Sequence, residues 1–271
     1  MLPTLNVGAT TALGDDSDYF NDDSVAFGHV ELSKTVSSRY SYYSNLSNLT
    51  TLATTVTGRN VNPSDLALEV EQPDLAHLIR QFLGQQLESV VSEDSEDHEP
   101  PLFNSPISVY PSALATFREP SDLCRTGRMH RERIRAVPSW RHGPARHDCV
   151  FVQTDADAEG MRGLDVACVR LFFSFTFRNK FYPCALVNWY SRVGNGPDED
   201  TGMWIVETEK DARGAPRAAV VHLDTLVRAA HLIGIYGEGF YPKITPEQSL
   251  DFFRTFYVNK FIDHHSFAIA S

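Results

Sequence analysis

The chain has 271 residues, 42% of them hydrophobic, which suffices for one or two domains with a sizeable core. Its net charge of -11 and pI near 5.3 argue against a protein that coats nucleic acid over its whole surface. Four dispersed cysteines (Cys124, Cys149, Cys168, Cys184) without a CxxC pair argue against a disulfide framework and a thiolate zinc site. No apolar run approaches the ~20 residues of a membrane span, and no cofactor is expected. The N-terminal residues lack the basic and apolar regions of a secretory signal. The expected setting is therefore the nucleus or cytoplasm, without secretion and without a membrane partner.

In chain order, residues 1–63 read as a disordered segment. Ser33 to Thr57 holds 12 Ser/Thr in 25 positions, a composition that buries too little apolar surface to offset the entropy of ordering. Residues 64–90 read as an amphipathic helix, with Leu75, Leu78, Ile79, Phe82, Leu83 and Leu87 on one stripe. That stripe needs a partner, and the helix at 74–88 is a candidate for protein contact or self-association. Residues 91–105 form an acidic, proline-containing linker. Residues 106–147 form an Arg-rich segment. From Arg118 to Arg146, eight arginines face three acids, a balance of +5 that leaves -16 for the remainder.

Residues 148–240 are expected to be β-rich, because "CVFVQT", "VACVRLFFSFTF", "YPCALVNWY", "MWIVETE" and "AAVVHLD" are short, β-branched or aromatic, and bounded by turn residues. Alternation puts Val169, Leu171, Phe173, Phe175 and Phe177 on one face of a half-exposed sheet. "FRNKF" has the polar content of a tight hairpin connection. "LDTLVRAAHLIGIYG" reads as a short helix. Residues 241–271 read as a C-terminal helix, opened by Thr245, Pro246 and Gln248 in the pattern of a capping box. The expected class is α+β: a small antiparallel sheet, barrel-like, flanked by helices and burying Phe173, Phe175, Trp189 and Trp204 on shared ground.

Three groups of residues bear on chemistry. Asp198, Glu199 and Asp200 sit in "GNGPDEDTG" and read as a solvated hairpin tip, with metal binding or an acidic contact as the alternatives. Consecutive loop residues diverge, whereas two-metal chemistry needs carboxylates from separate elements. Cys149, Cys168 and Cys184 lie inside strand-like text and read as core residues. His264 and His265 read as solvated. No P-loop, GxSxG or HExxH pattern occurs, so no catalytic or metal residue is assigned. The remaining group is basic. Arg128, Arg131, Arg133, Arg135 and Arg141, with Trp140 among them, are candidates to bind DNA by neutralising phosphates and stacking on a base or ribose. The alternative is that they pair with the acids at 93–99 or 198–200.

Several long blocks carry a resemblance. "PSALATFREPSDL", "MHRERIRAVPSWRHGPARHDCVFV", "VRLFFSFTFRNKFYPCALVNWYSRVGNGPDEDTGMWIVE", "VVHLDTLVRAAHLIGIYG" and "LDFFRTFYVNKFIDHH" resemble the C-terminal region of Plavaka-type transposon proteins. These belong to the Kyakuja–Dileera–Zisupton superfamily of mushroom-forming fungi. The resemblance implies a DNA-related setting in a tail that lacks the family's RNase H-like catalytic domain, and it assigns no catalytic role to any residue here. The outline of "YPCALVNWYSRV" with its following strands also resembles bromo-adjacent homology modules, which bears on fold alone. The expectation is a non-catalytic, nucleic-acid-associated or protein-interaction module. A metal-dependent nuclease or transposase remnant, or a folded relic without a DNA role, are its alternatives.

Overall fold

The computed structural model describes residues 29–33, 59–88, 101–118, 129–237 and 243–271, and the β-branched and aromatic runs within them become strands. The first elements are β1 (His29–Leu32), β2 (Arg59–Val61), α1 (Pro63–Glu69) and α2 (Leu75–Glu88). Four strands cover the Arg-rich segment and its approach: β3 (Ile107–Tyr110), β4 (Ser112–Arg118), β5 (Met129–Val137) and β6 (Arg146–His147). The central strands are β7 (Cys149–Gln153), β8 (Leu164–Phe177), β9 (Lys180–Arg192), β10 (Ile205–Thr208) and β11 (Ala218–His222). The chain continues through β12 (Leu226–Ala230), β13 (Leu232–Gly234), α3 (Ser249–Phe252), β14 (Thr255–Val258) and α4 (His264–Ile269). No helix of the described residues is long and apolar enough to cross a membrane.

The strands form two antiparallel sheets. The smaller runs β1-β4-β5-β6. The larger runs β12-β7-β8-β9-β10-β14-β13, with β11 added beside β9 and β3 linking β2 to β8. The class is α+β and sheet-rich, as expected, but neither sheet closes into a barrel. Three layers result. Ala113, Ala115, Ile134 and Ala136 of the small sheet pack onto Val150, Val152, Phe172, Ala185 and Val187 of the large one. On the opposite face, α1 and α2 cover Leu171, Phe173, Phe175, Tyr182 and Leu186. The C-terminal segment covers Phe151, Val166, Tyr190, Trp204 and Val206 from that same side.

Burial on both faces corrects the half-exposed sheet. Phe172 and Ser174, expected to face water, are buried, and Ser174 Oγ lies 3.2 Å from Tyr110 Oη. The expected single face of β8 also breaks. Val169 pairs with Val187 but Leu171 pairs with Leu186, so a bulge at Arg170 reverses the parity of the strand. Val169 therefore faces the small sheet while Leu171, Phe173 and Phe175 face the helices. The same geometry separates the four aromatics expected to share one site. Phe173 and Phe175 lie under the helices, Trp204 under the C-terminal segment, and Trp189 beside the small sheet.

Other boundaries shift. Within the segment expected to be disordered, 29–32 and 59–61 are strands, Ser33 after the first of them is buried, and 1–28 and 34–58 lie outside the described residues. The helix expected over 64–90 is two helices. Asn62 accepts from the Ser64 amide at 3.0 Å as N-cap of α1, with Pro63 in the first turn. Leu75, Ile79, Phe82 and Leu83 of α2 are buried against the sheet of this chain, so that stripe is not left open for a partner. Of the acidic linker, residues 101–105 are described, and Phe103 there is buried.

"LVRAA" is a strand rather than a helix. Leu226 faces the small sheet and Val227 the C-terminal segment, and a short apolar run buried on both sides does not reveal its own period. The expected C-terminal helix is broken likewise. The Thr245 amide donates to Gln248 Oε1 at 3.0 Å, the reciprocal half of a capping box, but only one turn of α3 follows. Phe256 and Val258 then complete the sheet as β14, beside β10 and β13.

Candidate nucleic-acid interface

The arginines are sorted by the two-residue period of β5. Ile134 and Ala136 point into the core between the sheets, so Arg131, Arg133 and Arg135 lie on the outer face of the small sheet. Arg131 is exposed and makes no ion pair with a described residue, whereas Arg133 and Arg135 are half-buried. Arg133 Nη1 donates to Ser33 Oγ at 2.7 Å and Ser112 Oγ at 3.0 Å, which ties β1 to β4 and β5. Arg133 is thus in part a structural cation. Arg128 lies outside the described residues.

The turn after β5 gathers further cations. Gly143 N donates to Trp140 O at 2.8 Å and Trp140 N to Pro144 O at 2.9 Å. This tight turn places Arg141 and His142 at φ 52° and 63°, a left-handed pair that non-glycine residues adopt at a cost of about 1 kcal/mol or more each. The Trp140 ring carries three guanidiniums, with Arg135 at 4.4 Å, Arg146 at 5.3 Å and Arg141 at 5.5 Å from its centroid. The indole, a candidate to stack on a base or ribose, lies against all three of these cations. Asp148 steadies the base of this turn: its carboxylate accepts from Arg146 Nε at 2.8 Å and from the Arg135 amide at 2.9 Å. Beside it, His147 has a pKa lowered to about 4, by burial first and then by the neighbouring charge of Arg170.

Glu132 is the acid nearest these arginines in sequence, and it points inward. It meets Arg228, a buried cation within β12, at 3.0 Å, and accepts from the Ala229 amide. Arg228 also makes a two-point pair with Asp263, both contacts at 2.8 Å, and lies over the Phe117 ring at 4.2 Å. His265 stacks on Phe117 at 4.6 Å, with its Nδ1 3.4 Å from Arg228. His265 was expected in solvent and is fully buried; His264 is exposed. Burial alone raises the Asp263 carboxyl, but hydrogen bonds from Arg228 and the Ser266 amide outweigh it and hold the group below its ordinary value. The one sequence signal for this cluster was an arginine inside the apolar run "LVRAA".

The acids at 198–200 stand apart from this arrangement. They occupy the loop between β9 and β10, with Glu199 and Asp200 exposed. Asp198 Oδ1 accepts from Thr201 Oγ1 at 2.7 Å and Thr201 N at 2.9 Å, contacts that lower its pKa and close a local turn. Among the described residues, no three His, Cys, Asp or Glu side chains stand close enough to hold a metal ion. Cys149, Cys168 and Cys184 are buried and free. No family model matches the sequence, and no curated protein or solved structure is detectably similar to it.

Proposed function

We propose that the protein is a non-catalytic nucleic-acid-binding module that grips backbone phosphates with the outer face of β5 and the turn at 138–146. The observation that carries this reading is the segregation of charge within "RERIR". Glu132 is drawn inward by Arg228, the arginines on either side of it lie on the outer face, and Arg135 joins Arg141 and Arg146 around Trp140. Guanidiniums gathered on an indole suit phosphate oxygens rather than base edges, so affinity should depend on salt and little on sequence. The resemblance to Plavaka-type transposon tails supports a DNA setting. The remaining -16 of charge would confine contact to this one face.

A labelled duplex titrated at increasing salt tests the reading. With about four phosphates neutralised, raising salt fourfold should weaken binding by roughly two orders of magnitude. Arg131→Ala with Arg141→Ala, both exposed, should lower affinity and flatten the salt slope while leaving the melting temperature unchanged. Equal, negligible binding by both proteins would refute the proposal. Incubation with DNA and Mg²⁺ or Mn²⁺ should give no cleavage above a variant with alanine at Asp198, Glu199 and Asp200.

A further inference from the structure

Antiparallel pairing sets Cys149 of β7 directly opposite Cys168 of β8. Val169 N donates to Asp148 O at 3.0 Å and Thr154 N to Gly163 O at 3.0 Å, so 148/169 and 154/163 are hydrogen-bonded positions of this ladder. Alternation makes 149/168 a non-hydrogen-bonded pair, where Cα atoms approach to about 4.5 Å. A disulfide spans Cα separations of about 4.4–6.8 Å, so the two sulfurs can join without moving either strand. Cys149, Cys168 and Tyr190 lie in one buried cluster on the same side of the sheet, and Cys168 Sγ donates to the His147 carbonyl oxygen at 3.9 Å. Cys168 and Tyr190 also border a cleft of about 1430 Å³ between the α1–α2 connection, β9, β10 and residues 250–254, which admits a small reagent.

We propose that Cys149 and Cys168 are a redox pair, closing into a reversible cross-strand disulfide when a low-molecular-weight disulfide enters this cleft. The Cys168 thiolate attacks one sulfur of the reagent, forming a mixed disulfide and releasing one reagent thiolate. Cys149 then loses its proton and attacks the Cys168 sulfur, releasing the second reagent thiolate. The two cysteine protons go to the two leaving thiolates, so two protein thiols are oxidised while one reagent disulfide is reduced. The surroundings suit that order. The hydrogen bond from Cys149 holds the Cys168 thiol below its usual range against the opposing effect of burial, and the charge of Arg170 adds to it. Donating that bond, with burial added, keeps Cys149 protonated. Cys184 has only burial acting on it, which raises its pKa and leaves it inert.

The test exposes the folded full-length chain to excess glutathione disulfide, followed by alkylation, trypsin and mass spectrometry. The expected product joins peptide 147–162 to peptide 163–170, and the thiol count of the denatured chain falls from four to two. Closing a loop of this size should raise the melting temperature by roughly 5–10 °C, reversed by dithiothreitol. Cys184→Ser should leave the link intact. Cys149→Ser should stop at a single glutathionyl group on Cys168. Retention of all four thiols would overturn the proposal, as would a link engaging Cys124 or Cys184.

Discussion

The pair made by Arg228 and Asp263 can be broken from either side, and the two sides should not cost the same. Arg228 is 3% exposed, while the side chains of Glu132 and Asp263 keep 24% and 30% of their surface in solvent. Asp263→Asn strands an enclosed guanidinium with one remaining carboxylate. Removing a partner from a buried pair costs about 3–5 kcal/mol; the surviving Glu132 and the partial exposure of Asp263 put this case nearer 2–3 kcal/mol. Asn still accepts from the Ser266 amide as N-cap of α4, so capping is preserved. Arg228→Met instead removes the enclosed charge, keeps an unbranched stem over Phe117, and leaves two carboxylates that can hydrate. Its cost should be about 1 kcal/mol or less. At about 2–4 °C per kcal/mol, Asp263→Asn should lower the melting temperature by roughly 4–12 °C and Arg228→Met by no more than about 4 °C. Urea titrations and melts at pH 7 give both numbers. The pKa of Asp263 is depressed in the fold, so its stabilisation is complete above the unfolded value of 3.8 and is lost as pH falls through the folded one. The difference between wild type and Asp263→Asn should therefore vanish at strongly acidic pH. An Arg228→Met protein as unstable as Asp263→Asn would refute the reasoning.

Three further outcomes are expected. His147 titrates near 4 instead of 6.5, so stability should be full above pH 6.5 and decline as pH falls toward 4, by roughly 3 kcal/mol at most; melts of His147→Phe across that range should show a flatter profile. His142→Gly relieves a left-handed residue at φ 63° and should stabilise the chain by about 0.5–1 kcal/mol in urea titrations, with Asn179→Gly at φ 61° behaving alike. Gly163→Ala would bring a Cβ to 2.3 Å from the Ala158 carbonyl oxygen and 2.6 Å from that of Asp155, both backbone atoms. It should destabilise by at least about 2 kcal/mol, read as an earlier urea midpoint.

Much of the large sheet was legible because its strands are bounded by turn chemistry. Arg178 and Asn179 at φ 48° and 61° form the tight β8–β9 connection that "FRNKF" announces. What misled was coverage. A strand buried on both sides loses its alternation, so "LVRAA" imitates a helix, and a segment such as 255–258 acquires its conformation from strand neighbours distant in sequence. The Arg cluster was visible as composition, but composition could not say which arginines share a face. That followed from β5 being a strand, and from a buried cation roughly 100 residues away in sequence claiming Glu132.

The extra residue at Arg170 makes β8 behave like text with a shifted reading frame. Upstream of it, even-numbered side chains face the C-terminal segment; downstream, odd-numbered ones face the helices on that same side. Deleting Arg170 alone would remove the bulge and restore a uniform two-residue count, with Val166, Cys168, Leu171, Phe173 and Phe175 all keeping their native side. Pairing Arg170 into the ladder instead, with no core residue altered, would turn Phe173 and Phe175 toward the small sheet and leave half a strand inside out. Within this strand the bulge reconciles two halves of opposite count, and length here carries structural information as identity does.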